Sequence, residues 1–145
     1  MKYSRIEIAA KPEMEDPYAK HTAWEIESTL GYRVLSLRVV TVYTVYSNLA
    51  PDRIRMFASD VLCDPVLSIY GVDSPLGLRF PAFNWAVEIS FKLGVTDNVG
   101  HTASEVLDMM TGFGGGDGRV YKSTQYLITA GLNMEQVRKI GSEIL

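Results

Sequence analysis

The sequence predicts an α+β fold in which two copies of one strand-and-helix unit share an antiparallel sheet, with the helices on one face. Three observations carry this. Short runs that alternate apolar and polar residues are interleaved with stretches whose apolar residues recur every three to four positions, the marks of half-buried strands and amphipathic helices. The plan of residues 87–103, V-E-I-S-F-K-L-G-V-T-D-N-V-G-H-T-A, stands in weaker form at residues 6–23, I-E-I-A-A-K-P-E-M-E-D-P-Y-A-K-H-T-A. In both, an alternating run ends in lysine, a turn carries an acidic residue, and a helix opens with His-Thr-Ala. The matches also run on in order. Ile6/Val87, Glu7/Glu88, Ile8/Ile89, Lys11/Lys92 and Asp16/Asp97 lie 81 apart, and His21/His101, Ala23/Ala103 and Ile26/Val106 lie 80 apart. Leu49/Leu132, Ile54/Val137, Phe57/Ile140 and Leu62/Leu145 lie 83 apart. Such ordered matches mark a duplicated unit, and the step from 81 to 80 places a lost residue in the turn before the helix.

The first strand is expected over residues 3–11, where Ile6 and Ile8 alternate with Arg5 and Glu7 to give one buried and one wet face. Asp16-Pro17 then supplies an N-cap acceptor and a proline at the first helical position, where its missing N–H costs nothing. Ala19, Ala23, Ile26 and Leu30 fall on one helical stripe, and Gly31 ends the helix. Residues 34–46 are strongly β in propensity, but two adjacent valines, Val39 and Val40, break the alternation and predict a bulge or bend. A second helix over residues 51–63 buries Ile54, Phe57 and Val61, Asp64-Pro65 stops it, and a strand follows over residues 66–70.

Gly and Pro interrupt both periodicities across residues 71–81, so the chain divides into a first unit at 1–72, a linker at 73–82 and a second unit at 83–145. The second unit repeats the plan as a strand at 83–92, a helix at about 97–110, a strand at 119–128 and a helix at 134–145. No counterpart of the strand at 66–70 follows Leu145, which predicts a second unit cut before its last strand or an edge completed elsewhere. Units of this kind, with their helices segregated to one face, point to a ferredoxin-like pairing edge to edge in a pseudo-twofold sheet.

Composition narrows the function classes. A chain of 145 residues buries enough surface to fold without a staple. A net charge of −3, from 14 basic and 17 acidic residues, gives no surplus for a phosphate backbone, so nucleic acid is not expected as a partner. One cysteine, Cys63, forms no internal disulfide, and with only His21 and His101 beside it the chain has no zinc or iron–sulfur ligand set. No apolar run approaches the roughly 18 residues that span a bilayer, and the polar N-terminus lacks a signal-peptide core. A soluble, cytoplasmic protein with no membrane partner is the expectation.

The candidate sites are then few. The segment 112–118, G-F-G-G-G-D-G, lacks the Gly-Lys-Ser/Thr of a phosphate loop and reads as a helix-to-strand connection with a lesser option of anion contact. His21 and His101 take equivalent places in the repeat with no Ser, Cys or carboxylate pair beside them, so solvated or interface roles outweigh catalysis. Glu7 and Glu88 read as exposed ladder positions. Thr96 or Asp97 caps the second unit's helix, and the stretch Thr96, Asp97, Asn98 with His101 is a candidate contact to a neighbouring domain. Trp24 breaks the repeat, since the other copy has Ser104 there, and a large aromatic on one copy only is a candidate contact surface. No catalytic, cofactor-binding or metal residues are assigned.

These same residues resemble a known family. V-E-I-S-F-K-L-G-V-T-D-N-V-G-H-T-A is similar to the N-terminal segment of phosphoribosylformylglycinamidine (FGAM) synthase, where a strand leads through Lys-Pro-Gly-Val-Thr-Asp-Asn into a helix. The first copy resembles that enzyme's small subunit, PurS, at Lys11-Pro12, Asp16-Pro17, Leu30-Gly31-Tyr32, Val34 with Leu37-Arg38, and Leu62-Cys63-Asp64-Pro65-Val66; the departures are Glu13 in this copy, where glycine is usual, and Leu93 in the second, where proline is usual. The resemblance implies a PurS-like tandem: a non-catalytic assembly domain in the step of purine biosynthesis that transfers ammonia from glutamine to formylglycinamide ribonucleotide. It implies synthetase and glutaminase domains or subunits as partners, self-association as an option, and ATP and Mg in the full assembly but no cofactor in this chain. The alternative is a regulatory module that binds a small ligand between its halves.

Overall fold

In the computed structural model, residues 2–80, 82–92, 95–111 and 118–145 are described, Thr111 by its backbone only. The strands are β1 (Lys2–Ala10), β2 (Ser36–Ser47), β3 (Ser68–Val72), β4 (Trp85–Ser90) and β5 (Arg119–Thr129). They form one antiparallel sheet in the order β3-β1-β2-β5-β4. The helices are α1 (Pro17–Leu30), α2 (Pro51–Met56), α3 (Asn98–Thr111) and α4 (Met134–Glu143). The fold is thus α+β, with a five-stranded antiparallel sheet and four α-helices among the described residues.

Each helix is started by the chemistry its sequence carries. Asp16 accepts from the backbone N–H groups of Tyr18 and Ala19 ahead of Pro17, and α1 ends at Gly31, whose φ of 72° only a residue without Cβ adopts cheaply. Asn133 and Gln136 form a reciprocal capping box on α4. The helix expected over residues 51–63 starts as α2 at Pro51 but continues through Phe57–Leu62 as a π-helix.

One face of the sheet carries two apolar cores. In the first, Ile54, Phe57 and Ala58 of the α2 run and Ala103 and Leu107 of α3 pack on Ile6, Ile8, Val45 and Val120. In the second, Ala19 and Ile26 of α1 and Ile140 of α4 pack on Leu37, Tyr126 and Ile128, with Val87 and Ile89 beside them. Both cores draw residues from both halves of the chain, so neither half closes a core by itself.

The other face is partly covered, by the linker. A 3-10 turn at Leu76–Arg79 lays Leu76 and Phe80 on Ala9, Val40, Val42 and Leu127. This removes the expected bulge. β2 pairs β5 without a break from Ser36↔Thr129 to Tyr46↔Arg119, so Val39 and Val40 point to opposite faces of a regular strand. Both are apolar because both faces are covered there, Val39 beneath α1 and α4 and Val40 beneath the linker. Glu7, expected as an exposed ladder position, is buried for the same reason. Its Oε1 accepts the Leu76 N–H at 3.1 Å and its Oε2 the Arg5 Nε–H at 2.8 Å. Glu88 is the more open of the two, its side chain 35% exposed.

The expected lost residue before the helix is also corrected. Asp16 Oδ1 accepts the Ala19 N–H and its carbonyl the Lys20 N–H; Asp97 Oδ1 accepts the Gly100 N–H and its carbonyl the His101 N–H. Counted from these caps, buried Ala19, Thr22 and Ile26 match buried Gly100, Ala103 and Leu107, all at a spacing of 81. His101 therefore stands where Lys20 stands, and His21 and His101 are not equivalent. Register at a helix start is fixed by the capped N–H and by the small residue that meets the strand, and exposed His-Thr pairs have no hold on it. In the sheet Ile8 pairs Thr41 and Ile89 pairs Thr124, spacings of 81 for the first residues and 83 for the second.

Candidate functional site

Of the five residues singled out by sequence, four gather at the start of α3. Thr96, Asp97 and His101 line a cavity of about 410 Å³ with Lys92, Ser104 and Lys122. Asn98 lines a neighbouring groove of about 370 Å³. Trp24 stands apart on α1, 62% exposed, its ring stacked on His21 at 5.9 Å. His21 Nε2 in turn lies 2.7 Å from Glu25 Oε1, and His101 Nε2 lies 3.2 Å from Glu105 Oε1, each pair one helical turn apart and exposed. No Ser, Cys or second carboxylate accompanies either imidazole in these contacts.

Asp97 is spent on structure. Oδ1 caps α3 through the Gly100 N–H and Oδ2 accepts the Lys122 N–H of β5, both at 2.8 Å, so one carboxylate fastens helix to strand. A few residues on, the Ser104 hydroxyl donates to the Gly100 carbonyl and accepts the Val120 N–H, each at 2.8 Å. The helix approaches β5 so closely that a Cβ at position 100 would press on the Asp97 carboxylate and the Val120 carbonyl oxygen. Glycine is required there. Of the two caps offered by sequence, Asp97 makes the bonds, while Thr96 is exposed. Leu93 and Gly94 of the same turn, and the Gly-rich loop over residues 112–117, lie outside the described residues.

The groove next to it was not foreseen. Its floor is Tyr43 of β2, its far wall Val61 and Leu62 of the π-helix, and its near wall Asn98, Val99 and Val106 of α3. It lies between the halves, because Tyr43 and the π-helix belong to the first and α3 to the second. Burial raises the Tyr43 hydroxyl above its ordinary pKa, and the negative charge of Asp97 raises it further. On the opposite face Arg5 crosses from β1 to Glu88 on β4, its guanidinium nitrogens 3.2 and 3.1 Å from the two carboxylate oxygens, and Ser123 donates to the same carboxylate. Burial alone would raise Glu88, but the bonds from Arg5 and Ser123 hold it below the usual carboxylate range.

Among the described residues no three His, Cys, Asp or Glu side chains are placed to hold a metal ion, and no helix is long and apolar enough to cross a membrane. Comparison with family models, curated proteins and solved structures finds no match to the chain.

Proposed function

We propose that the chain is a non-catalytic assembly module built of two similar units about an approximate twofold, as in the PurS-like tandem of FGAM synthase. One observation carries the reading, the repetition of register. Thr41 faces Thr124 at the centre of the sheet, and outward from it Ile8↔Thr41 and Ile6↔Tyr43 on one side correspond to Ile89↔Thr124 and Val87↔Tyr126 on the other. In the first unit β3 covers the outer edge of β1, whereas β4, its counterpart in the second, has no further neighbour among the described residues. An open strand edge beside a fixed scaffold is a docking device, since its unpaired N–H and C=O groups accept an added strand.

The test is reconstitution. Mixed with the synthetase and glutaminase subunits of an FGAM synthase, the purified chain should co-elute with them in defined stoichiometry. Alone it should release neither phosphate from ATP nor glutamate from glutamine. Failure to bind either subunit sinks the purine reading, and turnover by the chain alone that disappears in His101→Ala sinks the non-catalytic one.

A second reading, a module that holds a small ligand between its halves, has its own observation in the groove over Tyr43, whose walls come from both halves.

A further inference from the structure

We propose that the groove between α3 and the π-helix binds a small, uncharged aromatic molecule of the phenol class, seated over the Tyr43 hydroxyl. This rests on the ligand-binding reading and is independent of assembly with partner subunits.

Tyr43 faces Ile6 and Tyr126 faces Val87, matching places on the helix side of the sheet. Burial, the neighbouring hydroxyl of Tyr18, the second residue of α1, and the charge of Glu25 together raise the pKa of Tyr126. Tyr126 is 5% exposed, so no open groove lies over it. The second residue of α3 is Val99, and the place of Glu25 is taken by Val106. A phenol ring has become an isopropyl group and a carboxylate has become a methyl-bearing wall.

The far wall differs too. At Val61 and Leu62 the chain is π-helical, a wider turn that recurs at functional sites, and Val61 is 42% exposed. The matching residues after α4, Ile144 and Leu145, pack against the second core. What results is a groove of about 370 Å³, within the size range of small-molecule sites. Its chemistry selects a neutral ligand. Tyr43 stays a protonated hydroxyl at neutral pH, and the nearby Asp97 charge repels anions. For a cation, both Asp97 oxygens are already bonded to backbone, and the lining carries no carboxylate, only the neutral Asn98, Thr102 and Tyr43 beside its apolar side chains. The group that the protein itself brings near the sister hydroxyl is the phenol of Tyr18.

Titration of the full chain with p-cresol, followed by ¹H–¹⁵N NMR, tests this. Saturable shifts should be confined to Val61, Leu62, Val99, Thr102, Ala103 and Val106, with a dissociation constant on the order of 1 mM, as suits a single-ring ligand. Benzoate, the anionic arm, should bind about tenfold more weakly or worse. Val99→Tyr supplies the ring in cis, so it should raise the melting temperature and weaken p-cresol binding by about tenfold or more. Tyr43→Phe keeps the packing, removes the hydroxyl, and should weaken binding severalfold, which keeps the test open if Val99→Tyr misfolds. Absence of saturable shifts, shifts spread over other exposed apolar residues, or unchanged binding in both variants would overturn the proposal.

Discussion

One guanidinium organises the polar part of the sheet's back face. Arg5 meets buried Glu7 through Nε and forks onto Glu88 across two intervening strands, while Glu7 reaches on to the linker at Leu76. Burial works against the charged Arg5, but its hydrogen bonds and charge interactions with Glu88 and Glu7 raise its pKa overall. The depressed Glu88 makes this pH-dependent. A carboxylate whose folded pKa lies below its unfolded value contributes stability that is present above the unfolded pKa and lost as pH falls through the folded one. The loss should therefore set in near the ordinary value of 4.5 and deepen below it. Glu88→Gln should cost on the order of 1 kcal/mol at pH 7, a modest figure because the site is partly screened by solvent. It should also flatten the stability profile below that pH. Urea unfolding at pH 7 and pH 3.5 measures both, and equal wild-type-to-variant differences at the two would show that the clamp carries no linkage.

At the scale of elements the linker behaves as a structural member. Leu76 is fully buried on Val40, Val42 and Leu127, and its N–H is bonded to Glu7, so the segment that joins the halves is also the cover of the back face. Leu76→Ala should cost about 2–4 kcal/mol in denaturant unfolding, the range for an aliphatic side chain removed from a packed site. A cost near zero would mean the turn lifts off the sheet. The element order was legible in the sequence, because alternation, the Asp16-Pro17 start and the Gly31 stop are local signals. What hid was whatever depends on a distant cover. Val39-Val40 reads as a broken strand, and Glu7 as exposed, only until the linker is known to lie across the far face. The candidate site was half legible: Asp97 announces a cap, but the groove over Tyr43 joins β2, the π-helix and α3, which only folding brings together. The register of each helix start is likewise set by backbone hydrogen bonds to Asp16 and Asp97, and matching His-Thr-Ala by identity misses it by one position.

For the molecule as a whole, the two sheet edges are unequally protected. β3 pairs β1 from Ile6↔Val72 to Ala10↔Ser68, so the β1 edge is satisfied, and β3 itself is short at five residues. β4 pairs only β5, over six residues from Trp85 to Ser90, and its outer side has no neighbour among the described residues. Exposed Phe83 and Phe91 flank it, and on the back face Ala86 offers no charge to turn a second strand away. Natural edges of this kind are blunted by lysine or proline, and here neither lies between residues 85 and 90. The chain should therefore self-associate through β4 as its concentration rises, an antiparallel β4–β4 contact being self-complementary about a twofold. Ala86→Lys places two like charges across that contact while leaving both cores untouched. Sedimentation of the wild type and this variant over a concentration series should show association in the first and a monomer in the second. A wild type that stays monomeric would show that this edge is not available for strand addition, and an unchanged variant would place the contact on another surface.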